Sequence, residues 1–363
     1  MTEHSRPPVR VLVVDDSRSA RSLIRALIET APGLVVCGEA ADGREAVEKT
    51  LALKPDVVTM DLQMPEMDGM QAIEEIMSRH AVPILVLSDL ADAANAMAAV
   101  ARGALEAARK PTFDEGAGLA SRLRILARIP VIRHIRRNGA LVVKDVPDDP
   151  TLSAWPETRR DTPPSRPGSP VVAIASSTGG PQALARILPD LPADFAAPVL
   201  IAQHISDGFA VAMADWLDQL CALPVKIPVE GEALLPGRVY IADSITHMTL
   251  GAGRRIRLEQ RAESDVYRPS CDRLLTSVAA QVGRDAVGVI LTGMGRDGAQ
   301  GMLALAKAGG TTIAQDEATS VIFGMNREAI LAGGVQLTLP LDLIADKLCM
   351  LAGCGAAIGA GVA

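Results

Sequence analysis

Short aliphatic runs that stop abruptly at a reactive side chain recur along this chain, and that recurrence limits its fold more than any other feature. RVLVVDD ends at Asp15 and Asp16, PDVVTMD at Asp61 and PILVLSD at Ser88. SPVVAIASS ends at Ser176 and Ser177, PVLIAQH at His204, and AVGVILTGMG runs into Asp297. Runs this short, without polar alternation, have the pattern of strands buried on both faces of a parallel sheet. Between them lie helix-length amphipathic segments such as RSARSLIRALIETA and DGREAVEKTLALK, which supply the crossovers that parallel strands require. The expected class is α/β, and ligands of such sheets bind beyond the carboxyl ends of the strands.

The pattern occurs twice, and a proline-dense stretch separates the two copies. Seven of the 24 prolines fall between Pro147 and Pro170. A chain of 363 residues has room for about two domains. The expected division is a first α/β domain over 8–130, a linker over 131–170, a second, doubly wound α/β domain over 171–350, and a flexible glycine-rich tail over 351–363. The net charge of −7 and only eight aromatic residues argue against a nucleic-acid partner, which needs a basic face or stacking platforms. The basic run RHIRRN, ending at Asn138, reads as a solvated helix end or the approach to the linker. There is no long apolar run to span a membrane and no leader-like start. Five scattered cysteines without a C-x-x-C pair read as buried thiols in a reducing, cytoplasmic compartment.

In the first half, Asp15, Asp16 and Asp61 and the hydroxyl of Ser88 converge on one rim. Magnesium takes oxygen ligands, keeps several waters and uses only one or two carboxylates, which leaves a third free as a nucleophile. Lys110, before Pro111 at a weaker fifth strand in ALEAARKP, stands where it can neutralise phosphoryl oxygens. VLVVDD, MDLQMPEMDG, PILVLSD and GALEAARKP together resemble the receiver domain of two-component response regulators, over residues 9 to 128. The resemblance implies a flavodoxin-like fold. It also implies a phosphoryl acceptor at Asp61 fed by a sensor histidine kinase, Mg2+ held by Asp15, Asp16 and Asp61, and signalling through Ser88 and Lys110. Ala107 and Ala108 stand where receivers usually carry an aromatic switch residue, and Asp89 follows Ser88 where a smaller side chain is usual.

The second half opens on SPVVAIASSTGGPQALARIL, a strand that turns sharply into a helix. A serine on such a turn is exposed, with helix N–H groups close by for an oxyanion. Ala175, Ser177 and Gly179 make a loose nucleophile elbow, while a phosphate-binding or merely tight turn fits that stretch equally. A serine nucleophile needs a base and an orienting carboxylate. His204 ends a strand expected beside that of Ser177, Asp297 follows a third run, and the loop at Met294 adds candidate oxyanion donors. His247 is expected to be structural or peripheral, and Arg268 either steers an acidic partner or pairs with Asp272.

IASSTGGPQAL, QHISDGF, YRPSCD, LTGMGRDGAQGM and IAQDEATSVIFGM resemble the catalytic domain of the CheB family, the chemotaxis protein-glutamate methylesterases, over about residues 168 to 350. The resemblance implies hydrolysis of glutamate methyl esters on chemoreceptors and deamidation of receptor glutamines. Ser177 would be the nucleophile, with Ser176 an alternative, His204 the base and Asp297 the acid, with Thr178 and Met294 beside the reacting centre. No cofactor is expected there. Asn326 and the SITH stretch depart from the family's usual residues outside those positions. Two rivals remain at this level: a response regulator with a DNA-binding output domain, against which the acidic α/β second half argues, and a catalytically silent adaptor that binds receptors or kinase.

Overall fold

A computed structural model describes residues 7–129 and 169–354. Most of the expected linker, the RHIRRN run and residues 355–363 lie outside those residues. The first domain alternates β1 (Val9–Val14), α1 (Arg18–Glu29), β2 (Leu34–Ala40), α2 (Gly43–Leu53), β3 (Val57–Met60), α3 (Gly69–Arg79), β4 (Ile84–Ser88), α4 (Ala93–Ala101), β5 (Glu106–Arg109) and α5 (Gly116–Leu126). Its five strands are all parallel, in the order β2-β1-β3-β4-β5. The aliphatic runs are buried as their composition requires, every residue of β3 and β4 included. Local chemistry starts the helices: the side chains of Ser17, Asp42 and Asp68 each accept a first-turn N–H, filling the donors a helix start leaves unpaired.

The second domain runs β6 (Val171–Ser176), α6 (Gly180–Ile187), β7 (Val199–Gln203), α7 (Ala210–Leu220), β8 (Val225–Lys226), β9 (Val239–Ile241), β10 (Thr246–Gly251), β11 (Arg255–Gln260), α8 (Cys271–Val282), β12 (Ala286–Ile290), α9 (Ala299–Lys307), β13 (Thr311–Gln315), α10 (Met325–Leu331), β14 (Leu337–Leu339) and α11 (Leu341–Ala352). Seven strands form a parallel sheet, β14-β13-β12-β6-β7-β9-β8, and β10 with β11 forms a separate antiparallel hairpin. The first strand of the domain, β6, is thus central, with β7 on one side and β12 on the other. The strand order reverses there, which opens a crevice at the carboxyl ends. The expected tail boundary at 351 is corrected: α11 continues to Ala352 and Cys354 is buried beyond it, because the helix's last turn still has core to cover.

The two domains touch through helices. α4 packs against α7 and α6. Gln182 at the start of α6 donates from Nε2 to the carbonyl of Ala104 at 2.8 Å. Arg122 on α5 donates to Ser206 Oγ at 3.1 Å and pairs with Glu106 at 3.2 Å. No helix among the described residues is long and apolar enough to cross a membrane.

Candidate functional site

Ser177 and His204 stand one residue beyond a matched pair, because Ser176 and Gln203 are partners in the β6–β7 register. The backbone knits both to the sheet: His204 N donates to Ser176 O, and Ser177 N donates to Thr292 O beyond β12, each at 3.0 Å. Gln203 braces the turn from below. Its Oε1 accepts from Ser176 Oγ at 2.6 Å, and its Nε2 donates to the carbonyls of Ser177 and His204 at 2.9 and 2.8 Å. Ser176 is fully buried in that contact, whereas Ser177 faces the crevice.

Two glycines make the turn possible. Gly179 has φ +78°, and a side chain there would strike Val321; a Cβ at Gly180 would lie 1.9 Å from Gln203 Oε1. Gly293 has the same role from the opposite loop, since a Cβ there would meet Ser177 Cβ at 2.7 Å.

Asp297 is 2% exposed and accepts from His204 Nε2 at 2.8 Å. It also sits on the N-terminus of α8, taking the N–H of Cys271 at 2.7 Å, the N–H of Asp272 at 2.9 Å and the Ser270 hydroxyl at 3.3 Å. Burial pushes this carboxyl up, yet the imidazole and the backbone donors outweigh it and hold Asp297 below the usual carboxylate range. An ionised Asp297 keeps the proton on Nε2, so Nδ1 is the lone-pair nitrogen of His204. Tyr267 lies flat on the imidazole, with ring centroids 5.2 Å apart and planes within 11°.

Ser177, His204, Tyr267, Met294 and Arg268 line a cavity of about 1180 Å³. Its other wall is the first domain, including Glu106, Ala107 and Arg122. The N–H groups of Thr178 and Met294 have no intramolecular hydrogen bond among the described residues, while those of Gly180 and Gly293 are occupied.

At the rim of the first domain, Asp15 and Asp61 follow the register partners Val14 and Met60. Lys110 Nζ lies 2.9 Å from a carboxylate oxygen of each. Asp15, Asp16 and Asp61 each offer an oxygen within 4.8 Å of the others, with Asp16 exposed and the other two buried. Burial raises the Asp61 carboxyl above its ordinary range; Lys110 opposes this and the nearby Asp15 adds to it. Three carboxylates this close, with one ammonium shared by only two of them, are a donor set suited to a divalent cation. Ser88 is buried on the same rim, its hydroxyl 3.5 Å from Asp92 Oδ2.

Residues 11–119 match the response regulator receiver domain, and residues 172–348 match CheB methylesterase. Over 359 residues the chain is 48% identical to protein-glutamate methylesterase/protein-glutamine glutaminase 3 of Paramagnetospirillum magneticum, covering 98% of this chain and 99% of that one. The chain belongs to the CheB family. A second CheB relative, protein-glutamate methylesterase/protein-glutamine glutaminase 2 of Anaeromyxobacter dehalogenans, is 44% identical, with 94% and 96% covered. The crystal structure of the Thermotoga maritima CheB methylesterase catalytic domain is 39% identical and covers 50% of this chain and 98% of that one, with TM-score 0.49.

One expectation for this chain needs correction. Arg268 does not pair with Asp272: its guanidinium donates to the carbonyls of Asp265 and Glu263, while Asp272 accepts the N–H groups of Gly298 and Gly301. The turn curls Arg268 back on its own backbone and turns Asp272 toward the loop after Asp297. His247, expected to be structural or peripheral, is of the structural kind: it is 1% exposed and both ring nitrogens are engaged. Sequence reasoning also missed Tyr267, Ser270 and Gln203. YRPS was visible as a motif, but nothing local said which of its residues reaches the histidine.

Proposed function

We propose that this chain hydrolyses glutamate methyl esters and glutamine side-chain amides on chemoreceptors, at Ser177, His204 and Asp297, under control of its receiver domain. The observation that carries the reading is the 2.8 Å contact of His204 Nε2 with a buried, ionised Asp297, on the rim that also presents Ser177. His204 Nδ1, not Nε2, takes the Ser177 proton as Oγ attacks the side-chain carbonyl carbon. The Thr178 and Met294 N–H groups, which have no intramolecular partner among the described residues, are available as donors to the oxyanion. His204 then passes the proton to the leaving group, so methanol or ammonia departs. Water, deprotonated by the same nitrogen, cleaves the glutamyl–Ser177 ester and restores the hydroxyl. Asp297 holds the ring and balances the imidazolium.

In the receiver, Asp15, Asp16 and Asp61 would hold Mg2+, which when bound offsets the charge of an incoming phosphoryl group. Asp61 is the acceptor from a sensor histidine kinase, with Lys110 and Ser88 positioned to contact the phosphoryl oxygens. The first domain forms one wall of the cavity over Ser177, so phosphorylation acts by shifting that wall. A cytoplasmic setting suits both partners. The test is methanol release from methylated receptor membranes, with and without magnesium and a small phosphodonor. The expected result is release that the phosphodonor raises and that Ser177→Ala abolishes. Release by Ser177→Ala at the parent rate would refute the catalytic assignment, and full phosphodonor response in Asp61→Asn would refute the regulatory one.

A further inference from the structure

A second histidine–aspartate pair stands behind the first. His247 on β10 is 1% exposed, and its Nε2 meets Asp265 Oδ2 at 2.8 Å. Its other nitrogen, Nδ1, lies 2.9 Å from the backbone N–H of Ser270. A backbone N–H can only donate, so Nδ1 carries the lone pair, Nε2 carries the proton, and the ring is neutral in one tautomer. Protonation at Nδ1 would set two donors against each other.

The charged groups around this ring are accounted for. Asp265 Oδ2 also accepts from Ala262 N at 2.8 Å, and its Oδ1 accepts from Arg273 of α8 at 3.2 Å. Arg273 reaches Glu259 of β11 at 3.3 Å, and Glu259 is the hairpin partner of His247. Asp265 borders the active-site cavity; His247 is not among its lining residues, so it is not placed to touch substrate.

The ring therefore pins both ends of residues 265–270. That segment carries Tyr267, which lies on His204, and ends in Ser270, which caps α8 and whose hydroxyl reaches Asp297. The next two N–H groups grip the Asp297 carboxylate. We propose that His247 is a positioning residue for the hydrolysis, fixing through Ser270 the helix end that holds Asp297 and through residues 265–270 the ring that holds His204 flat. The proposal rests on the reading of Ser177, His204 and Asp297 as the reacting group.

Two variants separate the two ends of the ring. His247→Asn keeps an acceptor near the place of Nδ1 and loses Asp265. His247→Gln keeps a donor for Asp265 and leaves the Ser270 N–H without its acceptor. In full-length protein on methylated receptor membranes, His247→Gln is expected to lose about 10- to 100-fold in kcat with KM within about twofold, the signature of misplaced reacting groups. His247→Asn is expected to stay within about fivefold of the parent, since it retains the Ser270 contact. Nitrogen-15 spectra of histidine-labelled parent protein should show the His247 ring neutral and protonated on Nε2 alone at neutral pH, a readout independent of how the variants fold. Parental kcat in His247→Gln while Ser177→Ala is inactive would overturn the positioning role alone, as would equal losses in both variants that track their melting temperatures. A doubly protonated His247 ring at neutral pH would overturn it too. Full activity in Ser177→Ala would overturn the triad beneath it.

Discussion

Asp61 and Asp297 begin from the same position in two parallel sheets and end with opposite chemistry. Each lies beyond the carboxyl end of a strand next to the point where strand order reverses, and each is almost fully buried. Burial is the strongest influence on both and pushes both carboxyls up. Asp297 then collects an imidazole, two backbone N–H groups and a hydroxyl, and finishes below its ordinary range. Asp61 has one backbone N–H from Leu62 and an ammonium it shares with Asp15, and finishes above. A carboxylate that orients a ring is fully provided with donors. The Asp61 carboxyl is left short of positive charge, a deficit that a divalent cation can fill.

The comparison breaks most plainly at Ser177. Ser177→Ala should lower methanol release by about 10⁴-fold or more, while phosphorylation of Asp61 by a small acyl phosphate is untouched. Asp297→Asn should cost about 10³- to 10⁴-fold in kcat, because an amide cannot hold the proton on His204 Nε2 in the same way. Its stability has a definite pH sign. Asp297 is depressed in the folded protein, so its ionised form stabilises the fold above the unfolded-chain value, and that contribution is lost as pH falls through the depressed one. Asp297→Asn should therefore melt below the parent at pH 7, with the gap closing in acid.

Chelating magnesium should abolish the phosphodonor response and leave basal hydrolysis within about twofold, since only one of the two sites has a donor set that calls for the ion. Arg122→Ala with Gln182→Ala should raise basal hydrolysis by about two- to fivefold without phosphodonor, the scale expected for losing exposed or half-exposed contacts between the domains. The smallest effect belongs to Asp61→Asn in magnesium-free buffer. The Asp61 carboxyl is raised, so its ionised form costs stability once pH exceeds that raised value, and the cost is absent below the unfolded-chain value. The variant should melt about 1–3 °C above the parent at pH 7, and with it in acid. A lower melting point at pH 7 would remove the contrast with Asp297.

The positions of Asp15, Asp61, Ser88, Ser177 and His204 were legible in the sequence because each is set by a local rule: an aliphatic run ends, and the next side chain is on the rim. The same rule gives the two parallel sheets. Asp297 was legible with less support, since it follows its strand through a seven-residue loop, Leu291 to Asp297. Ala107 was visible as a departure from an aromatic, and in the fold it is a buried residue at the edge of the interdomain cavity.

What tertiary structure alone decided is how those rim groups are held. Ser270 and Asp297 are 27 positions apart, His247 and Ser270 are 23, and His204 and Asp297 are 93. No periodicity links such pairs, so neither the ring nitrogen of His204 that meets Asp297, nor the tyrosine laid on it, nor the buried His247 could be read from spacing. Strand ends are a property of local burial, fixed by which residues alternate or do not. The orientation of a side chain on a strand end depends on which distant N–H or carbonyl meets it, and that is settled only when the loops close over the sheet.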